Sequence, residues 1–548
     1  MHGSAGVRMN FWCAARLLGV LILGLICVSC GDQYRPVAVP IVAPPPDPQA
    51  VHFVLVFSVN GVNDPGASSR MDVSGDTNIG VAQLGLGPAH ATLTPNGARV
   101  YAVNTREDSV SSYSPTPGST ATSVTTTSLP AGANPVFVHT TEGGTVYVAN
   151  FGTGTVAAIS TTSNVVTNLI RVDPSQPVLQ TDTISKPVAL AETPDGKKLY
   201  VVNQGTDSVT SINTIDGSLN GNATIPTGAT PVWAVARSDS ARIYVLNSGS
   251  GTVSTIDTKT DTVLSSVTVG ADANYMAYDN KLNRLYITNP TASTVTALNV
   301  SSDPPTVLFA TPVVPGPVTV AVLPDGSRAY AVGSTKIPPC TSDPLDTQLC
   351  IRSEVTVINA TDGGVRKIIP LESTVSITTA LPDGPNTSSN FPTTTYSYTL
   401  TSGPALRPGM EMVISGMGDP GNNGTFTLNA VNAGTFTVVS STGTKASSQN
   451  GTGAVVVEVS TAFPTGCDSS GLGVPAGALG GVRFRLSAAA SADSSKVFAG
   501  KCDSGSTAVI RSSDDTPVLD LPAPLSTVTP PNGGNALPQN PVFVLAGP

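Results

Sequence analysis

The sequence predicts an all-β protein with the architecture of a β-propeller, and three observations lead to that prediction. Five tyrosines each begin the pattern Tyr-x-x-Asn, with steps of 46, 53, 44 and 42 residues between them. Each period holds several short runs rich in Val, Thr and Ser, separated by Gly, Asp and Pro, and no helical periodicity follows residue 30. A repeat of this length with several short strands is typical of a propeller blade. The tyrosines are Tyr101, Tyr147, Tyr200, Tyr244 and Tyr286.

The repeat that begins at Pro231 divides into four predicted strands, at 231–236, 242–247, 251–257 and 261–269. Residues 52–60, 69–73 and 79–84 are predicted as strands two to four of an N-terminal blade, whose first strand would be the C-terminal segment at Pro541. This closure removes exposed sheet edges and gives eight blades, with seven as the alternative because the repeat at 482–521 is weak. The predicted first strands begin near Pro88, Pro135, Pro187, Pro231, Ala273, Pro317, Val482 and Pro541.

The period breaks between Leu371 and Val482. Residues 396–439 alternate in polarity there and contain an Asn-Gly turn, which predicts a small β domain inserted after the sixth blade counted from Pro88. Its sequence resembles a small β module common in bacterial surface proteins and phage tail proteins. We therefore expect propeller segments at 51–372 and 461–548, with the inserted domain at 373–460 between them.

The N-terminus has the layout of an export signal. Arg16 precedes an apolar run, 17–26, that is too short to span a bilayer as a mature helix. Residues 1–29 resemble a bacterial lipoprotein signal, which implies lipid attachment at Cys30; Cys27 departs from the usual Leu, and ordinary signal-peptidase cleavage is the alternative. Translation starts at Met1 or Met9. The Pro-rich residues 30–50 favour an extended tether, so we expect the protein to be exported and anchored to the outer membrane or cell surface.

Cysteine usage agrees with export. Once the signal and Cys30 are set aside, four cysteines remain, an even number that predicts two disulfides. Cys340 and Cys350 bracket a short loop and are expected to pair, which leaves Cys467 with Cys502. Zinc is disfavoured because these four include no Cys-x-x-Cys spacing.

The repeats resemble the YVTN family of bacterial β-propellers over about 52–371 and, weakly, 482–548. The repeat that begins at Pro187 carries Pro194-Asp-Gly196, Leu199-Tyr-Val-Val-Asn203 and Ser208-Val-Thr-Ser-Ile-Asn213. The sixth and seventh blades depart from the pattern with Tyr330-Ala-Val-Gly333 and Phe498-Ala-Gly-Lys501. The resemblance implies the fold; its functions range from cell-surface proteins to lactonase-like enzymes.

The Asn that ends each second strand recurs in six blades. Because a binding site rarely needs the same residue in every blade, we expect these residues to turn the chain, and a polar ring for a ligand is the alternative. They are Asn60, Asn104, Asn150, Asn203, Asn247 and Asn289.

Candidate chemistry is sparse, and the sequence names no catalytic residue and no metal ligand set. His90 and His139 lie on predicted first strands beside the channel, where a packed or hydrogen-bonded role is favoured over a metal pair. Glu192, Asp239 and Asp279 follow first strands and would line the channel mouth of a lactonase-like enzyme, with or without a divalent cation, or would be turn residues. Haem, nucleophile-elbow and P-loop motifs are not found.

The net charge of the chain argues against one class of partner. The formal charge is −9, and beyond the signal, with its Arg8 and Arg16, it is 25 − 36 = −11, without a basic patch, which argues against nucleic acid as a partner. The sequence favours a lipid-anchored, non-catalytic scaffold without a cofactor that binds an envelope protein or glycan. A lactonase-like propeller enzyme is the alternative.

Overall fold

The computed structural model describes residues 52–115, 123–141, 143–173, 185–337, 350–382, 393–439, 451–458, 467, 486–527 and 538–547. The predicted signal, the tether, the lipidated Cys30 and Cys340 lie outside these ranges. Among the described segments no helix is both long and apolar enough to cross a membrane.

Eight antiparallel blades of four strands each form the propeller, which confirms the count made from the repeat. The N-terminal strands are β1 Phe53–Asn60, β2 Asp64–Asp72 and β3 Thr77–Leu86. Blade 1 holds β4 Pro88–Leu93, β5 Val100–Asn104, β6 Ser109–Tyr113 and β7 Thr125–Ser128, and blade 2 holds β8 Pro135–Thr140, β9 Thr145–Asn150, β10 Thr155–Ser160 and β11 Val166–Arg171. Blade 3 holds β12 Pro187–Glu192, β13 Lys198–Asn203, β14 Ser208–Asn213 and β15 Leu219–Pro226, and blade 4 holds β16 Pro231–Ala236, β17 Arg242–Asn247, β18 Thr252–Asp257 and β19 Thr262–Thr268.

The remaining blades follow the same order, with an interruption after blade 6. Blade 5 holds β20 Tyr275–Asp279, β21 Arg284–Asn289, β22 Thr294–Asn299 and β23 Thr306–Pro312, and blade 6 holds β24 Pro317–Val322, β25 Arg328–Ile337, β26 Cys350–Asn359 and β27 Val365–Pro370. Between blades 6 and 7 come β28 Thr374–Pro382, β29 Thr393–Ser402, β30 Glu411–Ser415, a 3₁₀ turn Pro420–Asn422, β31 Gly424–Asn432, β32 Thr435–Val439 and β33 Gly451–Glu458. Blade 7 holds β34 Leu486–Ala490, β35 Lys496–Lys501, β36 Ser506–Arg511 and β37 Thr516–Pro522, and the last strand is β38 Asn540–Ala546.

The ring closes where the sequence places the closure. Strand β38 pairs antiparallel with β1, and the sheet order β3-β2-β1-β38 makes blade 8 from both ends of the chain. Several predicted boundaries shift: β20 begins at Tyr275 instead of Ala273, β3 extends over 77–86 instead of 79–84, and β2 begins at Asp64 instead of Ser69, because its pairing with β1 extends to Asn60.

The repeated tyrosines tie neighbouring blades together. Tyr101 and its equivalents are 0–2% exposed, and the hydroxyls of Tyr101, Tyr147, Tyr200 and Tyr244 reach the turn between strands three and four of the next blade. Tyr101 donates to Asn164 (2.9 Å), Tyr147 to the Thr214 carbonyl (3.3 Å) and Tyr200 to Asp261 (2.5 Å). One residue thus fills the core of its blade and bonds to the adjacent one, which explains why the repeat retains Tyr where another apolar residue would also pack.

The strands that follow blade 6 form a closed six-stranded barrel in the order β33-β28-β29-β32-β31-β30, with β30 pairing back to β33. Its core is built around Tyr396, Met412 and Phe436. Strand β33 also pairs with β26 of blade 6, and Arg407 reaches Asp520 of blade 7 at 3.5 Å. The barrel is therefore held by both blades between which it is inserted.

Candidate functional site

The inner strands place a layer of aromatic rings in the channel. In each blade the third residue of the first strand, counted from the position of the repeat proline, belongs to this level. From blade 8 to blade 5 the rings contact in series, with centroid separations of 4.5, 3.8, 5.5 and 4.9 Å, and blade 3 contributes only Ala189. We call the five rings the aromatic layer: Phe543, His90, Phe137, Trp233 and Tyr275.

His90 is therefore a packed residue of the channel. Its ring stacks on Phe137 at an interplanar angle of 21°, and its Nδ1 accepts a hydrogen bond from the Val138 amide at 3.4 Å. It does not form a pair with His139, which contacts a different blade.

A cavity of about 340 Å³ adjoins this layer. Blades 5 to 8 leave the space open because their inner strands carry small residues at several positions, Ala277, Ala321, Ala489 and Ala490 among them. His90, Trp233 and Tyr275 of the aromatic layer border it as well. A concave space of this size with a few polar groups suits a small molecule.

A second level of the channel lies nearer the ends of the first strands. In blades 1 to 7, one residue of the first strand pairs with the repeat aromatic on the second strand. We call this residue and the one that follows it in sequence, fourteen residues in all (7 × 2), the mouth ring. Most are small or apolar, and only His139 and Glu192 are acidic or basic. The members are Thr92, Leu93, His139, Thr140, Ala191, Glu192, Val235, Ala236, Ala277, Tyr278, Ala321, Val322, Ala489 and Ala490.

His139 and Glu192 form a dyad across the contact between blades 2 and 3. His139 Nε2 lies 2.9 Å from Glu192 Oε2, with side-chain exposures of 29% and 8%. The other carboxylate oxygen, Glu192 Oε1, is buried and has no hydrogen-bond partner among the described residues. In the preceding blade pair the equivalent residues are Thr92 and Thr140, whose hydroxyls are 3.3 Å apart. The dyad thus places an ionisable pair where blades 1 and 2 have a contact between two hydroxyls.

The two other predicted acids belong to turns. Asp239 accepts from the Ala241 amide and pairs with Arg237, and Asp279 accepts from the Leu282 amide at 3.0 Å. Burial raises the pKa of Asp279. The structure therefore does not gather Glu192, Asp239 and Asp279 into one oxygen-ligand set, and no group of three potential metal-ligating side chains occurs in the described ranges.

The six repeat asparagines are buried, and their side-chain amides donate within their own blade or to a segment beside it. The Asn104 amide donates to Ser109 and Ser111, both at 2.9 Å, and Asn203 donates to Thr210 at 2.8 Å. Asn150 donates to Thr155 and Asn247 to Thr252 and Ser254, each within the next strand. Asn60 bonds Pro65 and Thr527, and Asn289 bonds Ala271. These contacts lock the turn after strand two, as the turn interpretation expects.

The predicted cysteine partners Cys467 and Cys502 lie together in a disulfide, with Cα atoms 5.6 Å apart. The bond joins the segment before blade 7 to the end of β35. The other predicted pair depends on Cys340, outside the described residues.

A buried charged cluster lies beside this disulfide, and the repeat did not predict it. Lys501 takes the position of the repeat Asn, is 3% exposed, donates to the Leu371 carbonyl at 3.0 Å and lies 3.3 Å from Asp520. Glu372 is also buried and accepts from the Ser353 amide at 2.6 Å. Burial raises the pKa of Glu372 to about 7, while the charge of Lys501 opposes that rise. The departure at Lys501 was visible in the sequence, but its acidic partners were not.

Comparison with known proteins agrees with the propeller fold. Residues 77–262, about a third of the chain, match the family described as lactonase, seven-bladed β-propeller. These residues include His139 and Glu192. None of the curated proteins searched matches the chain.

Solved structures that resemble the chain share low sequence identity with it. A Bacteroides fragilis protein provisionally named a 6-phosphogluconolactonase is 18% identical, with a TM-score of 0.45 over 58% of this chain and 95% of that one. The periplasmic gluconolactonase PpgL of Pseudomonas aeruginosa is 16% identical, with a TM-score of 0.44 over 58% and 95%. A Lactobacillus plantarum protein is 18% identical, with a TM-score of 0.44 over 58% and 95%.

Proposed function

We propose that this protein is a lactonase-type hydrolase that opens a cyclic ester at the channel mouth. The observation that carries the proposal is the His139–Glu192 dyad, the only acidic and basic side chains in a mouth ring of otherwise uncharged residues. The family match over residues 77–262 supports the same reaction class. An ionisable pair in this otherwise uncharged ring has no evident benefit for packing, because desolvating a carboxylate is costly.

The dyad suits general base catalysis. With Nε2–H donating to the Glu192 carboxylate, Nδ1 of His139 carries the lone pair and accepts a proton from water. The water oxygen then bonds to the lactone carbonyl carbon, the ring C–O bond breaks, and the imidazolium returns its proton to the departing ring oxygen. The product is a hydroxy acid, and no cofactor or metal is consumed. In this scheme His139 is the catalytic residue and Glu192 is a positioning residue that fixes the tautomer.

The test is hydrolysis of a lactone panel by the purified chain, followed as released acid at constant pH. We expect His139→Gln to lower kcat/KM by about 10²- to 10⁴-fold, the usual contribution of a general base. Glu192→Gln should lower kcat and shift the pH–rate profile, an effect that a merely structural residue would not have. Asp239→Asn, which changes an exposed turn acid, is the matched control. Absence of hydrolysis of every lactone, or an unchanged His139→Gln variant, would overturn the proposal.

A second candidate function is favoured by the barrel. A closed barrel between two blades adds surface that hydrolysis at the channel mouth does not require, so we also propose a binding role toward an envelope protein or glycan. A pull-down from native envelope tests it, with bound metal assayed on the same sample. A stoichiometric partner held equally by wild type and His139→Gln would support a binding role independent of the dyad, and the lack of any partner would count against it.

Export and lipid anchoring are part of the proposal and rest on the sequence alone. Labelling with a radioactive fatty acid should modify the wild-type chain and the Cys27→Ser variant but not Cys30→Ser. Equal labelling of all three would contradict attachment at Cys30.

A further inference from the structure

We infer that the channel cavity binds an uncharged lactone that presents a hydrocarbon surface, and does not bind a phosphorylated or carboxylated one. That the ligand is a lactone rests on the proposed function, whereas the binding site itself follows from the cavity. It concerns the choice of substrate and leaves the chemistry of the dyad unchanged.

The walls of the cavity are shaped to contact a hydrocarbon surface. On one side of the cavity lie rings of the aromatic layer, and on the other the inner strands of blades 5 to 8 present alanines. Aromatic side chains at those alanine positions would fill the space, as the rings of blades 1, 2 and 4 do at their own level. The cavity is therefore formed where blades 6 and 7 carry Thr319 and Ser487 in place of rings at the level of the aromatic layer, and alanines in the mouth ring. Its walls offer mainly flat rings and methyl groups, which recognise hydrocarbon, and its few polar groups include the hydroxyls of Thr319 and Ser487.

The charge of the cavity lining disfavours an anionic ligand. No Lys, Arg, Asp or Glu is among the residues that line the cavity. A phosphate or carboxylate placed there would lose its hydration without gaining a permanent cation such as Lys or Arg, at a large cost in free energy. The carboxylate of Glu192 at the mouth repels an anion further. The nearby guanidinium of Arg237 is already paired with Asp239 at 2.9 Å.

The dyad lies at the same level along the channel as part of the cavity wall. Ala277, Ala321, Ala489 and Ala490 line the cavity and belong to the mouth ring, as His139 and Glu192 do. Strand register thus places the alanine wall and the dyad at the same height of the channel, on opposite sides. Neither His139 nor Glu192 lines the cavity, so a ligand whose hydrocarbon part occupies the cavity would extend its ester group across the channel at this height to reach the dyad.

Trp233 provides a direct readout. The sequence has two tryptophans, Trp12 and Trp233, and Trp12 lies in the predicted signal. In a full chain carrying Trp12→Phe, intrinsic fluorescence reports only Trp233, which borders the cavity. Three probes separate the alternatives: γ-nonalactone is neutral with a hydrocarbon tail, glucono-δ-lactone is neutral and polyhydroxylated, and 6-phosphoglucono-δ-lactone is anionic.

We expect γ-nonalactone to change Trp233 fluorescence saturably and to bind at least 10-fold more tightly than the anionic lactone. Ala489→Phe, which fills the cavity, should weaken this binding at least 10-fold. Ala277→Leu is a second cavity-filling variant, in case Ala489→Phe does not fold. Val307→Phe enlarges an exposed residue on the outer strand β23 and is the matched control.

The outcomes separate the two proposals. If γ-nonalactone binds but no lactone of the panel is hydrolysed, the proposed function is overturned and the binding site remains supported. Hydrolysis of 6-phosphoglucono-δ-lactone or glucono-δ-lactone in preference to γ-nonalactone overturns the inference and leaves the proposed function standing. Binding of γ-nonalactone that neither cavity-filling variant weakens also overturns the inference, and absence of both binding and hydrolysis overturns both.

Discussion

The Tyr200 hydroxyl in blade 3 lies 2.5 Å from Asp261 Oδ1 in the turn between strands three and four of blade 4. Lys198 of the same strand reaches the other oxygen of that carboxylate at 2.7 Å. Burial raises the pKa of Tyr200, and the neighbouring carboxylate raises it further, so the phenol stays protonated and donates. Tyr330 repeats the arrangement with Asp515 of blade 7. These contacts add buried polar bonds to the apolar packing between blades.

Removal of the Tyr200 hydroxyl tests this contact. We expect Tyr200→Phe to lower the free energy of unfolding by about 1–2 kcal/mol, since a buried bond to a carboxylate is lost while Lys198 still pairs with Asp261. Chemical denaturation measures the change. Tyr286→Phe is the control, because the Tyr286 hydroxyl makes no hydrogen bond to a neighbouring blade within the described part of the chain. Equal losses in both variants would contradict a specific role of the contact between blades.

The sequence predicted the blades and their closure because each repeat encodes its own strands and turns. It could not predict the contact partners of Tyr200 and its equivalents, because the accepting residue changes type from blade to blade, from Asn164 to Thr214 to Asp261. Neighbouring blades are joined by packing, and the repeat pattern does not encode which side chains meet across that packing.

The candidate site was predicted in parts. His139 and Glu192 were both placed near the channel, but their meeting depends on which first-strand positions face each other across blades 2 and 3. The aromatic layer depends on Phe543 lying beside His90, although these residues are at opposite ends of the chain, and only closure of the ring brings them together. The cavity exists because of which positions carry alanine, and no motif marks that choice.

The buried amide of Asn104 provides a test of the turn interpretation. Its side chain bonds Ser109 and Ser111 and accepts from the Gly85 amide at 3.3 Å. We expect Asn104→Ala to destabilise the fold by about 1–3 kcal/mol, since buried partners lose their bonds, and to leave Trp233 fluorescence titrations unchanged. The exposed Asn78→Ala variant is the control for stability. A selective loss of ligand binding in Asn104→Ala would instead support a ligand-binding ring of asparagines.

The bond between Cys467 and Cys502 should contribute measurably to stability. The two cysteines are 35 residues apart in sequence, and closing a loop of that length in the unfolded chain corresponds to about 4 kcal/mol in the chain-entropy account. The double variant Cys467→Ala/Cys502→Ala should therefore unfold at lower denaturant concentration. The double variant Cys340→Ala/Cys350→Ala, measured alongside, tests the other pair predicted from the sequence. Free thiols at both Cys467 and Cys502 in the native exported protein would refute the first bond.

Glu372 should make the joint between blade 6 and the barrel sensitive to pH. Its carboxyl is buried next to Lys501, and its pKa of about 7 lies above the ordinary value of 4.5. The folded state therefore holds a proton that the unfolded state releases between these two values, so the stabilisation is complete below about pH 4.5 and is lost as pH rises through about 7. The difference of 7 − 4.5 pH units corresponds to about 3 kcal/mol.

The measurement compares unfolding free energies at pH 5 and pH 8 in wild type and in Glu372→Gln. Because glutamine cannot titrate, the variant should lose the part of the pH dependence that Glu372 supplies, so the fall in stability between pH 5 and pH 8 should be smaller than in wild type. Glu354→Gln removes another carboxylate from the same blade and should keep the wild-type slope. Identical slopes in all three proteins would mean that Lys501 holds Glu372 ionised throughout this range, and that the cluster acts as a permanent ion pair joining the barrel end of blade 6 to blade 7.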